Sequence, residues 1–255
     1  MQADIQKAII WKRLAAWILD LILVVVLTSS IMWGLTAVSQ YDKYATQFNN
    51  SRKQYAAQYG LTEEEISSVA VFNNLPEDKQ AKVKEAEKAM GQDPVAVKAW
   101  NMMVSLILMM ITIGLLISML ILHVGVPLLL KNGQTIGKKA FSLGVIRQDG
   151  VKMSNLQLFI RTLLGQFTIE TMIPVYIVLM IYANTIGLLG TVVLFLLFIG
   201  QIVCMGVTQN NAAMHDLLAC TTVVDLASQK VFQSSEELLE YTKQVHAERA
   251  ARQEY

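Results

Sequence analysis

Arg13-Leu14-Ala15-Ala16-Trp17-Ile18-Leu19-Asp20 opens the first long apolar run of the chain, Leu14 to Val38, and Asp20 is the only charged residue inside that run. With Trp11, Trp17 and Trp33 near its ends, the run reads as a bilayer-spanning helix whose indole rings sit at the headgroups. A carboxylate a few turns into such a helix costs about 2.5–3.5 kcal/mol on insertion scales, so something must favour keeping it. Seven residues at about 100° each place Arg13 and Asp20 within about 20° of one face and about 10 Å apart along the axis. A secretory leader is the competing reading, because Lys7, Lys12 and Arg13 precede the run and Ala37-Val38-Ser39 weakly resembles a cleavage site. The length of the run and its aspartate disfavour it.

Composition points the same way. Of 255 residues, 54% are hydrophobic and 16% charged, against about 25% charged in soluble domains. A net charge of +1 with no concentrated basic surface argues against a nucleic-acid partner. Cys204 and Cys220 fit neither a disulfide framework nor a metal spacing and read as reduced thiols.

Four spans fit the apolar runs, giving an all-α membrane protein. The second lies within Ala99 to Leu130, which holds no Asp, Glu, Lys or Arg. At 1.5 Å per residue this run measures roughly 48 Å against a hydrocarbon core of about 30 Å, so it must tilt, bend or overrun, with Pro127 as the expected bend. Spans three and four come from Thr171 to Met214, turning at Asn184-Thr185 with Gly187. Basic residues orient the chain: Lys7, Lys12 and Arg13 precede span one, and Lys131, Lys138, Lys139, Arg147, Lys152 and Arg161 face Asp149 alone across 131–161. These segments are expected inside, with both termini in the cytoplasm. Segment 39–98, with eight Lys/Arg and nine Asp/Glu, is expected outside.

That outer insertion reads as helical. Tyr41, Tyr44, Phe48, Tyr55 and Tyr59 stripe one helical face before Gly60, and the stripe suits packing or a ligand. Thr62 with Glu65 forms a capping box, Leu61 with Ile66 a hydrophobic staple, and Pro76 to Met90 a further helix closed by Gly91. Asp93-Pro94 caps the entry to span two.

Three blocks resemble the RDD family of membrane proteins: Arg13 to Asp20; Asn132-Gly133-Gln134-Thr135-Ile136-Gly137-Lys138-Lys139 running through Gly144 to Gly150 and ending at Arg161; and His215-Asp216-Leu217-Leu218-Ala219-Cys220-Thr221-Thr222-Val223-Val224. The resemblance covers 10–38 and 100–225, and it implies that Arg13, Asp20 and Asp216 are the residues that name the family. It departs at Cys220, where a glycine is common, and in the 39–98 insertion. It implies no chemistry. The expected layout is an RDD-type transmembrane domain over 10–225, an extracytoplasmic insertion over 39–98 within it, and a charged cytoplasmic tail over 226–255.

Within the middle block, Gly144 to Arg147, Asp149-Gly150 and Val151 to Met153 suggest a small cytoplasmic hairpin, Asp-Gly supplying a two-residue turn with positive φ. Ser154 with Gln157 then caps a helix leading to Arg161. Lys138 and Lys139 suit either contact with anionic lipid or inside topology alone.

Asp20 is reconciled with lipid if it is protonated, pairs with a cation or faces water, and Arg13, Arg161 and His215 are the cations within reach, with Asp216 at the same level. Glu170 sits four residues before Pro174, and His123 four before Pro127. Each accompanies a carbonyl that proline deprives of its N–H partner, an arrangement that suits an ion or proton site or a kink for packing. His215-Asp216 lacks a nucleophile motif, a metal spacing or a phosphate loop, so neither an enzyme activity nor a cofactor is expected. Two functions follow: a small-solute or cation transporter coupled to protons through its carboxylates, or a non-transporting scaffold or assembly factor in the cell membrane. The first requires water access to the carboxylates.

Overall fold

The computed structural model describes residues 8–130, 133–172, 188–208 and 212–253. Pro174, the Asn184-Thr185-Gly187 turn and Lys131-Asn132 lie outside the described residues. The chain divides into two compact units, Met1–Thr28 with Gly114–Tyr255, and Ser29–Ile113.

Two helices among the described residues are long and apolar enough to cross a bilayer, Ile10–Val38 and Pro94–Leu130. Both keep most of their apolar surface outward, as with Trp11, Trp17, Ile22, Val26 and Trp33 on the first. A water-facing protein would bury such helices; lipid removes the need. Helix α1 (Ile10–Val38) buries Ala16, Asp20 and Val24, a spacing of four that defines one face. Helix α6 (Pro94–Met119) begins after Asp93, whose Oδ1 accepts from Val95 N at 2.8 Å. It continues as a π-helical segment, Leu120–Gly125, and a last turn, α7 (Val126–Leu130). The extra residue per π turn falls just ahead of Pro127, where the 37-residue helix was expected to bend. Thr28 Oγ1 donates to Ser118 Oγ at 3.0 Å and joins α1 to α6.

The unit Ser29–Ile113 contains α2 (Tyr41–Gln58), α3 (Glu63–Ser67), α4 (Val69–Phe72) and α5 (Glu77–Met90). Ala56, Leu61, Ile66, Val83 and Ala86 form its core, with Tyr59, Phe72 and Leu75 against it. Leu61 and Ile66 bracket the Thr62–Glu65 capping box as the sequence suggests. In the tyrosine stripe, Phe48 packs on Trp100 with ring centroids 5.2 Å apart.

In the other unit, α8 (Ile136–Ala140) leads into β1 (Leu143–Arg147). The expected hairpin is only partly present. Gly150, at φ +91°, follows a turn closed by its N–H to Arg147 O at 3.0 Å, and Ile146 bridges Lys152. The positive φ is therefore confined to the glycine, the geometry of a three-residue loop rather than a two-residue one. The regular partner of β1 is instead β2 (Thr221–Asp225), antiparallel with Val145 opposite Val223. Leu143, Val145 and Val223 share a core with Ala8, Ala16, Met153 and Leu158, which holds this block onto the start of α1. Helix α9 (Asn155–Phe159), capped by Ser154 and Gln157, runs into a second π-helical segment, Ile160–Glu170. The remaining apolar region is represented by α10 (Leu188–Val207), followed by α11 (Met214–Leu218). The 226–255 tail docks through Phe232, which bridges Val151, before α12 (Ser235–Gln253).

Candidate functional site

Two buried carboxylates, Asp20 and Asp216, organise the unit that contains the start of α1 and both strands. Asp20, 5% exposed, accepts from Thr135 Oγ1 at 2.5 Å and from Gly137 N–H at 2.8 Å, with Lys138 Nζ 3.7 Å away. Thr135 is the N-cap of α8 and accepts from Lys138 N at 3.3 Å, so the hydroxyl has its proton free for Asp20. Gly137 is required by proximity. A Cβ there would fall on the Ala16 carbonyl oxygen and 2.8 Å from the Asp20 carboxyl. Lys138 is the cation beside Asp20, where the sequence offered Arg13, Arg161 and His215; those three belong to the other carboxylate. Burial, and next the charge of Arg161, push the Lys138 ammonium down to about 8. Its side chain turns inward, so Lys139 alone of that pair is presented outward.

Asp216 is fully buried at the third position of α11. Arg161 approaches its Oδ1 through Nε at 2.9 Å and Nη2 at 2.8 Å; Arg13 Nη2 donates to Oδ2 at 3.3 Å, and Ala213 N–H to the same oxygen at 3.2 Å. Burial alone would raise this carboxyl, but Arg161 and the other donors outweigh it and hold Asp216 down at about 2. His215 Nε2 lies 2.9 Å from Arg161 Nη2, which can only donate, so the imidazole proton is assigned to Nδ1. From Nδ1 it is donated to Glu170 Oε1 at 2.5 Å, the same oxygen that accepts from His215 N at 3.2 Å. Glu170, His215, Arg161, Asp216 and Arg13 thus form one chain of hydrogen bonds. Asp20 stands in a separate cluster, although Arg13 and Asp20 share a helix.

Among the described residues, His123 has no hydrogen bond to Glu170. Its Nδ1 meets Gln166 Oε1 at 3.1 Å, and its carbonyl, deprived of a partner by Pro127, accepts from Thr162 Oγ1 at 3.2 Å. A hydroxyl from the second π segment therefore reaches that carbonyl. The matching relation of Glu170 to Pro174 falls outside the described residues. In the sequence Thr135 and Gly137 stand in the family block without an assigned role, and Thr162, Gly165 and Gln166 are not singled out. Thr135 carried a signal, as an N-cap residue before Ile-Gly-Lys-Lys; Gly165 carried none.

Long apolar helices with outward hydrophobic faces, the first of them tied through Arg13 to buried Asp216, define a helical membrane protein. The RDD family model matches residues 7–220, and the chain belongs to the RDD family. No curated protein and no solved structure matches the chain. Of the three residues that the resemblance implies as naming the family, Arg13 and Asp216 are bonded to each other, while Asp20 fastens α1 to the Thr135–Lys138 turn.

Proposed function

We propose that the protein is a four-span cell-membrane transporter of a small solute or cation, with both termini cytoplasmic, coupled to protons through Glu170 and His215. The observation that supports this is the 2.5 Å contact between Glu170 Oε1 and His215 Nδ1, both side chains part-exposed at 22% and 13%, at the end of a chain leading to buried Asp216. A proton held between a carboxylate and an imidazole changes the charge facing Arg161, which in turn grips Asp216 and so the end of α1. Asp20, satisfied by fixed donors, takes the positioning role instead. No catalytic residue or cofactor enters this reading, and Lys139 is left to meet anionic lipid. The test is pH-linked flux of monovalent cations or small solutes in proteoliposomes. Glu170→Gln should leave a folded protein that carries no proton-linked flux, and equal flux in wild type and Glu170→Gln would defeat the coupling.

A scaffold or assembly factor is the second reading, favoured by Asp20, whose carboxylate contacts are those of a structural tie. It is preferred if folded wild-type vesicles move none of the solutes tested while Asp20→Asn loses a bound partner.

A further inference from the structure

His123 is 9% exposed, and among the described residues its Nε2 has no hydrogen-bond partner. Because Gln166 Oε1 can only accept, the contact at Nδ1 places the imidazole proton there and leaves Nε2 with a bare lone pair. The ring cannot turn away, since Thr162 Oγ1 and Gln166 Oε1, one π turn apart, hold its backbone and its other nitrogen. It sits in the π segment Leu120–Gly125, which packs on the π segment Ile160–Glu170. Buried acceptors in native proteins are satisfied by protein or by water. Among the described residues, the charged groups acting on this ring are Lys138 from α8, Asp20 from α1 and Arg161 from the second π segment. Two cations against one already-engaged carboxylate disfavour a positive ion, so a neutral donor suits the site.

We propose that Nε2 of His123 is an internal hydration site, accepting a hydrogen bond from a water molecule held where the two π segments meet. The site is separate from the Glu170–His215 pair and exists whether or not the protein transports.

Hydroxyl-radical footprinting of the intact protein in lipid nanodiscs tests this. Met119, one helical turn before His123, and Met110, on the same helix, are both buried, at 8% and 2% exposure. Radicals made from internal water should oxidise Met119 several-fold faster than Met110, and His123→Phe, which has no acceptor, should abolish the difference. Equal oxidation in wild type, or a difference that persists in folded His123→Phe, overturns the proposal. Should that variant not fold, nitrogen-15 NMR of the wild type decides, the chain having three histidines. A water contact at the His123 Nε2 supports the site; a protein donor there, or an Nε2 without contact, overturns it. Neither readout depends on flux, so failure of the transport reading leaves this one standing.

Discussion

Gly165 and His215 approach so closely that a Cβ on the glycine would stand 2.6 Å from His215 Cβ and 2.9 Å from its Cα. The missing side chain is what lets α11 lie on the second π segment and bring His215 between Arg161 and Glu170. Gly165→Ala should therefore destabilise by about 1–3 kcal/mol through overpacking. Gly34→Ala, with nothing within 4 Å, should be neutral or slightly stabilising. Thermal unfolding of the two variants in detergent checks the contrast.

Double-mutant cycles separate the two carboxylate clusters. Asp20→Ala and Thr135→Ala should couple by about 0.5–3 kcal/mol, because they share one hydrogen bond. Asp20→Ala and Arg13→Ala should add within about 0.5 kcal/mol despite sharing a helix face. Asp216→Ala, which removes the buried carboxylate that two guanidiniums share, should cost about 3–5 kcal/mol alone. Strong Asp20–Arg13 coupling would merge the clusters.

Acid stability should report Asp216. Its folded value of about 2 lies below the ordinary 3.8, so the unfolded chain binds the proton first as pH falls. The stabilisation is complete above pH 3.8 and is lost on passing down through about 2, a change of about 2 kcal/mol. Lys138 gives a slope of the same sign in an alkaline window: its folded value of about 8 lies below 10.5, so native protein sheds the proton first and stability rises with pH across that interval. Unfolding midpoints against pH should lose the acid component in Asp216→Asn and the alkaline one in Lys138→Met.

Cys220 adopts φ +52°, closing α11 in the left-handed conformation before β2 begins. A non-glycine residue there pays about 1–2 kcal/mol, which accounts physically for the glycine common at this position of the family. Cys220→Gly should raise the unfolding midpoint, since its thiol is exposed and contributes little packing. A lower midpoint would show that the side chain stabilises more than the backbone strains.

Loop charge sets the expected topology. In a background without Cys204 and Cys220, a cysteine at Ser68 should react with an impermeant thiol reagent in intact cells, and one at Ser142 should not. Labelling of the second with protection of the first would invert the arrangement.

Local signals were legible in the sequence: the Thr62–Glu65 box, the Asp93 cap and the Pro127 irregularity each depend on residues a few positions apart. Asp20 was legible as a residue needing partners. The partners were not, because one is a backbone N–H, which no residue type announces, and another is Lys138, which reads from composition as a surface lysine. The β1–β2 pairing was hidden for a related reason. Gly144-Val145-Ile146 has a nearby candidate strand in Val151 to Met153, and nothing local says that a segment beginning at Thr221 will outcompete it.

The link from Arg13 to Asp216 spans 203 positions and that from Arg161 spans 55. At about 5–20 residues per second, Arg13 waits roughly 10–40 s on the ribosome before its counter-charge is made. The strand that completes the sheet emerges later still. Assembly of the polar core therefore waits on the last of the three blocks, and until Asp216 is made two guanidiniums lack the carboxylate that they share in the fold.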